Sequence, residues 1–424
     1  MQQPFDTTII VVVEVLVGVK EDVAGVLAAK GIRVRYNEFT GCLAVAHGGG
    51  AEHAMDDMDR AAIQCAIQDA TRKPGRPGAE AGPGISRVYS GILDAALMLI
   101  GKDNAFHPVR DYLDGLEWDG QLRLDHWLAK YMGADDTPYT QAVGRMTLLA
   151  AVKRVREPGC KFDECLVLVG EEGIGKSTVL RALGSPWFSD SLPLGAGPKE
   201  TVERTQGVWI CESAELIGNS PSKVHEIKAF LSRQEDGPFR AAYGHNSVMR
   251  PRQFVPIATT NDAVFLHSTT GDRRFWPVRV HYMDASGLDR DQLWAEANWR
   301  AIIGDPTRMS TDLWDVAQSH RDQYRAEDPW ESELRTITEE SISLHDIWKM
   351  LDVSVAKATG RDAQRVAGIM AKLGYEKSRQ MRKGLQTTWY DRINPYDARH
   401  FSRRPIEPEP EVPAEHRPED YEEE

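Results

Sequence analysis

The stretch Gly170-Glu171-Glu172-Gly173-Ile174-Gly175-Lys176-Ser177-Thr178 brings together the residues with the plainest chemistry in the chain. Glycines at 170, 173 and 175 let successive backbone N–H groups turn toward one centre without Cβ clashes, as a cluster of phosphate oxygens requires. Lys176 is spaced to reach the β and γ phosphates of a nucleoside triphosphate. Ser177 is spaced to complete the shell of a Mg²⁺ ion, with Thr178 beside it in the same binding turn. The apolar run Leu166-Val167-Leu168-Val169 leads in, and Val179 to Leu183 leads out as a helix, so the order is strand, loop, helix. That helix adds the partial positive charge of its N-terminus. ATP and Mg²⁺ are the expected ligands.

A phosphate loop needs acids and a positioned water at the tips of neighbouring strands. The apolar segment Gly207 to Cys211 ends in Glu212, with Glu215 three residues on. Glu212 is assigned to the metal and Glu215 to the attacking water, although the two roles could be exchanged. A further strand, Phe254 to Ala258, ends in Thr259-Thr260-Asn261, and Asn261 is placed to hold the water or to sense the γ phosphate. Arg273 and Arg274 precede the aromatic pair Phe275-Trp276. A structural ion pair would use them, and so would transition-state charge stabilisation from a neighbouring subunit.

Two basic stretches point to DNA. Residues 223–252 carry six bases against three acids, interleaved with aromatic residues, and Lys228, Arg233, Arg240, Tyr243 and His245 are the expected contacts. Residues 342–392 carry ten bases against five acids, and Lys377, Arg379, Arg382 and Lys383 crowd an expected hairpin.

These residues need a scaffold, and the periodicity divides the chain into seven stretches. A small α/β region spans 1–71, with the apolar run 9–19 read as a buried strand. A Gly/Pro-rich linker over 72–86 and a helical region over 87–153 follow. Alternating strand and helix signals mark a nucleotide domain over 154–305, the pattern of a mostly parallel sheet. A connector over 306–335 leads to two helices and a hairpin at 336–395, a winged-helix-like module. Residues 396–424 form an acidic tail.

Composition bounds the rest. The chain has 424 residues, 41% of them hydrophobic, with five cysteines that make no CxxC pair. The expectation is a globular chain of free thiols without a disulfide framework. The run 9–19 is interrupted by Glu14 and is too short to span a bilayer, so a cytoplasmic protein with no membrane partner is expected. The net charge of −13 is uneven: Pro405–Glu424 holds nine acids and one base, a net of −8, which leaves −5 for the body. With five prolines and almost no apolar residues, that tail cannot bury enough surface to fold.

The order of GEEGIGKST, WICESAEL, KAFLSRQEDGPFRAAYGH, FVPIATTND and TGDRRFWPV resembles the virulence-associated E family of P-loop ATPases of phages and prophage islands. That family is itself similar to superfamily three helicases. HPVRDYLDGLEWDGQLRLDHWL at 107–128, PGCKFDECLVLVG at 158–170 and DQLWAEA at 291–297 extend the likeness, which covers about 88–305. The resemblance implies an α/β fold with an AAA+/helicase-like P-loop core. It also implies a DNA-dependent ATPase and replicative helicase of a phage or mobile element in a bacterial host cell. Its partners would be single-stranded or forked DNA and a homo-oligomeric ring, a hexamer, and a primase, if one is required, would be a separate chain. Lys176, Ser177, Glu212, Glu215, Asn261, Arg273 and Arg274 match the catalytic pattern. Ser213-Ala214 separates the two acids, which the wider superfamily places side by side, and this leaves the choice of base open. The competing reading is an ATP-assembled DNA-binding regulator of a mobile element that does not unwind. A metabolic P-loop kinase is disfavoured, because the basic segments have no task in it.

Overall fold

The computed structural model describes residues 7–71, 90–214, 221–240, 247–266, 272–325, 328–382 and 385–393. The chain divides into two compact units, 1–326 and 327–424. The expected linker at 72–86 and the tail at 396–424 lie outside the described residues, as do Glu215, Tyr243, His245 and Lys383. The side chains of Arg240 and Arg382 lie outside them as well.

Helix α1 (Thr7–Ala29) opens the described chain, and the run 9–19 lies inside it, which corrects the expected strand. Valine and isoleucine favour strands where a pleated surface receives them. Here no proline separates the run from the helical stretch after it. Val23 and Leu27, one helical turn apart, are fully or almost fully buried and fix the register of the C-terminal part of the helix. No described helix is long and apolar enough to cross a membrane.

Strands β1 (Ile32–Asn37), β2 (Cys42–His47) and β3 (His53–Ala54) make an antiparallel sheet. Helices α2 (Asp57–Thr71) and α3 (Ser90–Asp103) complete this piece. Leu93, Ala96, Leu97 and Ile100 of α3 pack with Val23, Leu27, Val34, Leu43 and Ile63 in one core. The expected boundary at 72–86 therefore does not separate two cores, because the apolar face of α3 closes the N-terminal sheet.

Helices α4 (Pro108–Asp114), α5 (Trp127–Met132) and α6 (Pro138–Arg156) follow. The central sheet holds β4 (Cys165–Val169), β5 (Phe188–Ser189), β6 (Ile210–Ala214), β9 (Val255–Thr260) and β10 (Phe275–Arg279). Its order is β10-β4-β9-β6-β5 and every pairing is parallel. Between these strands run α7 (Lys176–Gly184), α8 (Pro198–Thr205) and α9 (Pro221–Leu231), with the hairpin β7 (Glu235–Arg240) and β8 (Ser247–Pro251). Helices α10 (Arg290–Ile302) and α11 (Trp314–Gln323) end the unit.

Parallel strands are covered on both faces, which explains the unbroken apolar run of β4. Leu166 and Leu168 face a core with α5, α6 and α10 that includes Trp127, Trp209, Trp276 and Trp294. Cys165, Val167 and Val169 face a second core with Phe230 and Tyr324. All five cysteines are free.

At the base of the β7–β8 hairpin, Arg252 Nε and Nη2 donate to the two carboxylate oxygens of Asp236 at 2.6 and 2.8 Å. Both side chains are almost wholly buried. Removing one partner leaves an uncompensated buried charge, so Asp236→Ala is expected to lower unfolding free energy by about 3–5 kcal/mol. Urea titration checks this, and an unchanged midpoint contradicts it.

The second unit contains α12 (Pro329–Leu334), β11 (Ser341–Ser343), α13 (Leu344–Met350), α14 (Gly360–Lys372), β12 (Tyr375–Arg382) and β13 (Leu385–Arg392). Its antiparallel sheet runs β11-β13-β12 around a core that includes Ile347, Trp348, Val366, Ile369 and Tyr390. Helix α13 starts at Leu344, because Ser343 caps it by accepting from Asp346 N and Ser341–Ser343 pair with β13.

Candidate functional site

Residues 170–175 join the buried end of β4 to the start of α7. Gly170 N donates to Thr260 O at 3.1 Å, and a Cβ at Gly170 would come 2.7 Å from Val280 O, so the tips of three strands close over this position. Gly175 caps α7 at φ 96°, a conformation that L side chains rarely adopt. The loop reaches its shape only with glycine at both places.

The strands deliver the polar groups, and Glu212 lies in the middle of β6, not after its end, because the strand expected over 207–211 runs instead over Ile210–Ala214. Glu212 of β6 is fully buried. Its Oε1 accepts from Ser177 Oγ at 2.7 Å and from Thr259 Oγ1 at 2.8 Å, while its Oε2 is buried without a hydrogen-bond partner. A buried carboxylate oxygen left in this state is costly unless something further binds it. Lys176 Nζ curls back to donate to the carbonyls of Gly170 and Glu171, both at 2.8 Å. Burial in the loop pulls the Lys176 ammonium below the ordinary lysine range, against the nearby charge of Glu212.

A cleft of about 540 Å³ opens here, lined by Gly173, Gly175, Lys176, Ser177, Thr178 and Asn261 together with Thr259 and Thr260. That volume is in the range of small-molecule sites. The structure thus assembles the expected glycines, Lys176, Ser177, Thr178, Glu212 and Asn261 at one place. Thr259 is the residue the sequence reading missed, since its β-branched side chain in FVPIATT reads as a strand former.

Other expected residues lie elsewhere. Phe275 pairs beside Cys165 and Arg279 beside Val169, so Arg273 and Arg274 stand at the opposite end of β10 from the glycine loop. The five residues of β4 put roughly 17 Å between them and the loop at ~3.3 Å per residue. Arg273 is exposed and Arg274 half-buried.

The expectation that Lys228 faces DNA is corrected. Its Nζ lies 3.2 Å from Asp272 Oδ1, with the side chains 11% and 4% exposed, so it is held in the buried ion cluster that also takes Arg325. Arg233 donates to Ala196 O at 3.0 Å and is engaged within the chain as well. Lys377 and Arg379 are exposed on β12.

With this geometry in view, the comparisons define the class. A family model for the virulence-associated protein E-like domain matches residues 113–326, and the chain belongs to that family. The match starts later than the resemblance expected from position 88 and runs on through α11. None of the curated proteins matches the chain. Among solved structures, the chain is similar to the apo structure of the NrS-1 C-terminal region, with 11% identity, a TM-score of 0.47, and coverage of 88% of this chain and 98% of that one. An A-form apo structure of the same region has 12% identity and a TM-score of 0.46, covering 88% and 99%.

Proposed function

We propose that the chain is a P-loop ATPase that acts on DNA as a ring-forming, helicase-like motor in the replication of a phage or mobile element. The observation that carries the reading is the Ser177–Glu212–Thr259 cluster, with its unpartnered Glu212 Oε2, set against a glycine loop at the start of α7. Among the described residues no group of three or more His, Cys, Asp or Glu side chains could hold a metal alone. One carboxylate, one hydroxyl and substrate phosphates are, however, the oxygen set that suits Mg²⁺. The residues fit that ion: Ser177 Oγ and Glu212 would hold it, and when bound it supplies charge neutralisation at the β and γ phosphates.

The chain's own groups supply the rest. Backbone N–H groups of the loop and the N-terminus of α7 orient the phosphates. Lys176 exchanges the Gly170 and Glu171 carbonyls for phosphate oxygens, and Asn261 at the cleft positions the water. Thr259 fixes the rotamer of Glu212. The distance of Arg273 and Arg274 from their own loop supports their service in a neighbour's site, and hence a ring. In the second unit, the order helix, strand, two helices and a two-stranded wing supports a winged-helix module, with Lys377 and Arg379 toward DNA.

Phosphate release from ATP with and without single-stranded DNA, together with displacement of a labelled strand from a fork, tests the proposal. Stimulated hydrolysis with displacement is expected. Hydrolysis that DNA does not stimulate, without displacement, would favour the ATP-assembled regulator instead.

A further inference from the structure

The segment that leaves β10 lies against the glycine loop and has no task in the phosphate chemistry. Val280 N donates to Val169 O at 2.8 Å, which carries the chain across the mouth of β4. A Cβ built on Gly175 would lie 3.4 Å from Met283 Cβ and 3.6 Å from its Cγ, so the Met283 side chain is seated on the loop. The segment is pinned on both sides of this contact. His281 N donates to Met132 O at 3.2 Å and Asp284 N to Tyr131 O at 2.9 Å. Asp284 Oδ1 then accepts from Gly287 N at 2.8 Å and from Ser286 Oγ at 2.9 Å, which closes the turn that follows.

Between the pins stands Tyr282. Its ring covers Gly133 so closely that a Cβ there would clash with it, and its hydroxyl donates to the carbonyls of Ala129 and Lys130 at 3.3 and 3.4 Å. Tyr282 is nevertheless 54% exposed. A large ring held at both ends yet half in water, next to a thioether seated on the loop, is a prepared surface for a flat apolar group. Aromatic rings and methionine sulfur both bind such groups through their faces.

We propose that Tyr282 and Met283 form the nucleobase platform of this site, receiving the base of a nucleoside triphosphate whose phosphates lie on residues 170–178. The inference rests on the phosphate-site reading given above. Stacking of this kind tolerates any base, because every base offers a π face. A platform of this kind does not itself distinguish adenine from guanine.

Calorimetric titration with non-hydrolysable ATP and GTP analogues and with inorganic tripolyphosphate tests the proposal. Tyr282→Ala and, independently, Met283→Ala are expected to loosen both nucleotides by on the order of tenfold while leaving tripolyphosphate unchanged. Tyr282→Phe, which keeps the ring, should bind nucleotide close to the wild-type level. Unchanged nucleotide affinity in both alanine variants would overturn the platform. So would equal loosening of tripolyphosphate, which would mean that the segment acts only through the shape of the loop. A wild-type chain that binds neither nucleotide nor tripolyphosphate would remove the phosphate site itself, and the platform with it.

Discussion

Lys176→Ala is expected to release phosphate from ATP more slowly than the wild type by a factor on the order of 10² or more, with its thermal unfolding unchanged. Loss of a single preorganised donor at developing charge costs that much in other active sites. The fold should not feel the change, since the Lys176 ammonium packs in neither core and its two partners are loop carbonyls at 2.8 Å. Glu212→Gln should be impaired to a similar degree for a different reason. The amide keeps one oxygen for Ser177 and Thr259, but it places a neutral NH₂ where the unpartnered carboxylate oxygen stands. Nucleotide binding should survive in the glutamine variant at reduced strength, since the loop is untouched. Wild-type turnover in either variant would detach the glycine loop from hydrolysis.

The second large effect concerns the arginines. Neither Arg273 nor Arg274 reaches its own loop across the length of β4, so on the proposed reading a single chain would lack the guanidinium that transition-state charge needs. Alanine at the residue that acts as the finger is expected to leave ATP binding normal and to slow hydrolysis by a factor on the order of 10³. Arg273 is exposed and Arg274 half-buried at the same end of β10, so both variants belong in the test. Mixing the defective arginine variant with Lys176→Ala should restore part of the activity, because one interface then pairs an intact loop with an intact finger. If neither arginine variant complements, in subunits shown to co-assemble, the argument for a ring is lost.

The parts of the site that were legible in the sequence are those whose chemistry is local. Gly170 to Thr178 is one unbroken turn between a strand and a helix, so spacing alone located it. Asn261 was found because it directly follows the apolar strand β9, whereas Glu212 lies in the middle of β6 and not at its end as expected. The parallel order β10-β4-β9-β6-β5 sets β6 and β9 side by side and brings both residues near the loop. Thr259 escaped because a hydroxyl inside a strand carries no mark of which carboxylate it will meet. Lys228 misled because its partner, Asp272, lies far along the sequence, and a charge count cannot tell a buried ion pair from a solvated face. The strand expected at 9–19 failed for a physical reason. Residue preference favoured a sheet, while unbroken continuity with the packed helical stretch at Val23 and Leu27 favoured a helix, and tertiary packing decides such contests. Tyr282 and Met283 were invisible because nothing in HYMDAS shows that it will fold back over the loop.

The most direct test of the central claim is steady-state phosphate release from ATP by the purified full-length chain, measured with Mg²⁺ and again after chelation, with Lys176→Ala purified alongside. The account predicts release that requires Mg²⁺ and falls to background in the variant. Release that persists equally in Lys176→Ala, or none from the wild type at any protein concentration with DNA present, would contradict it.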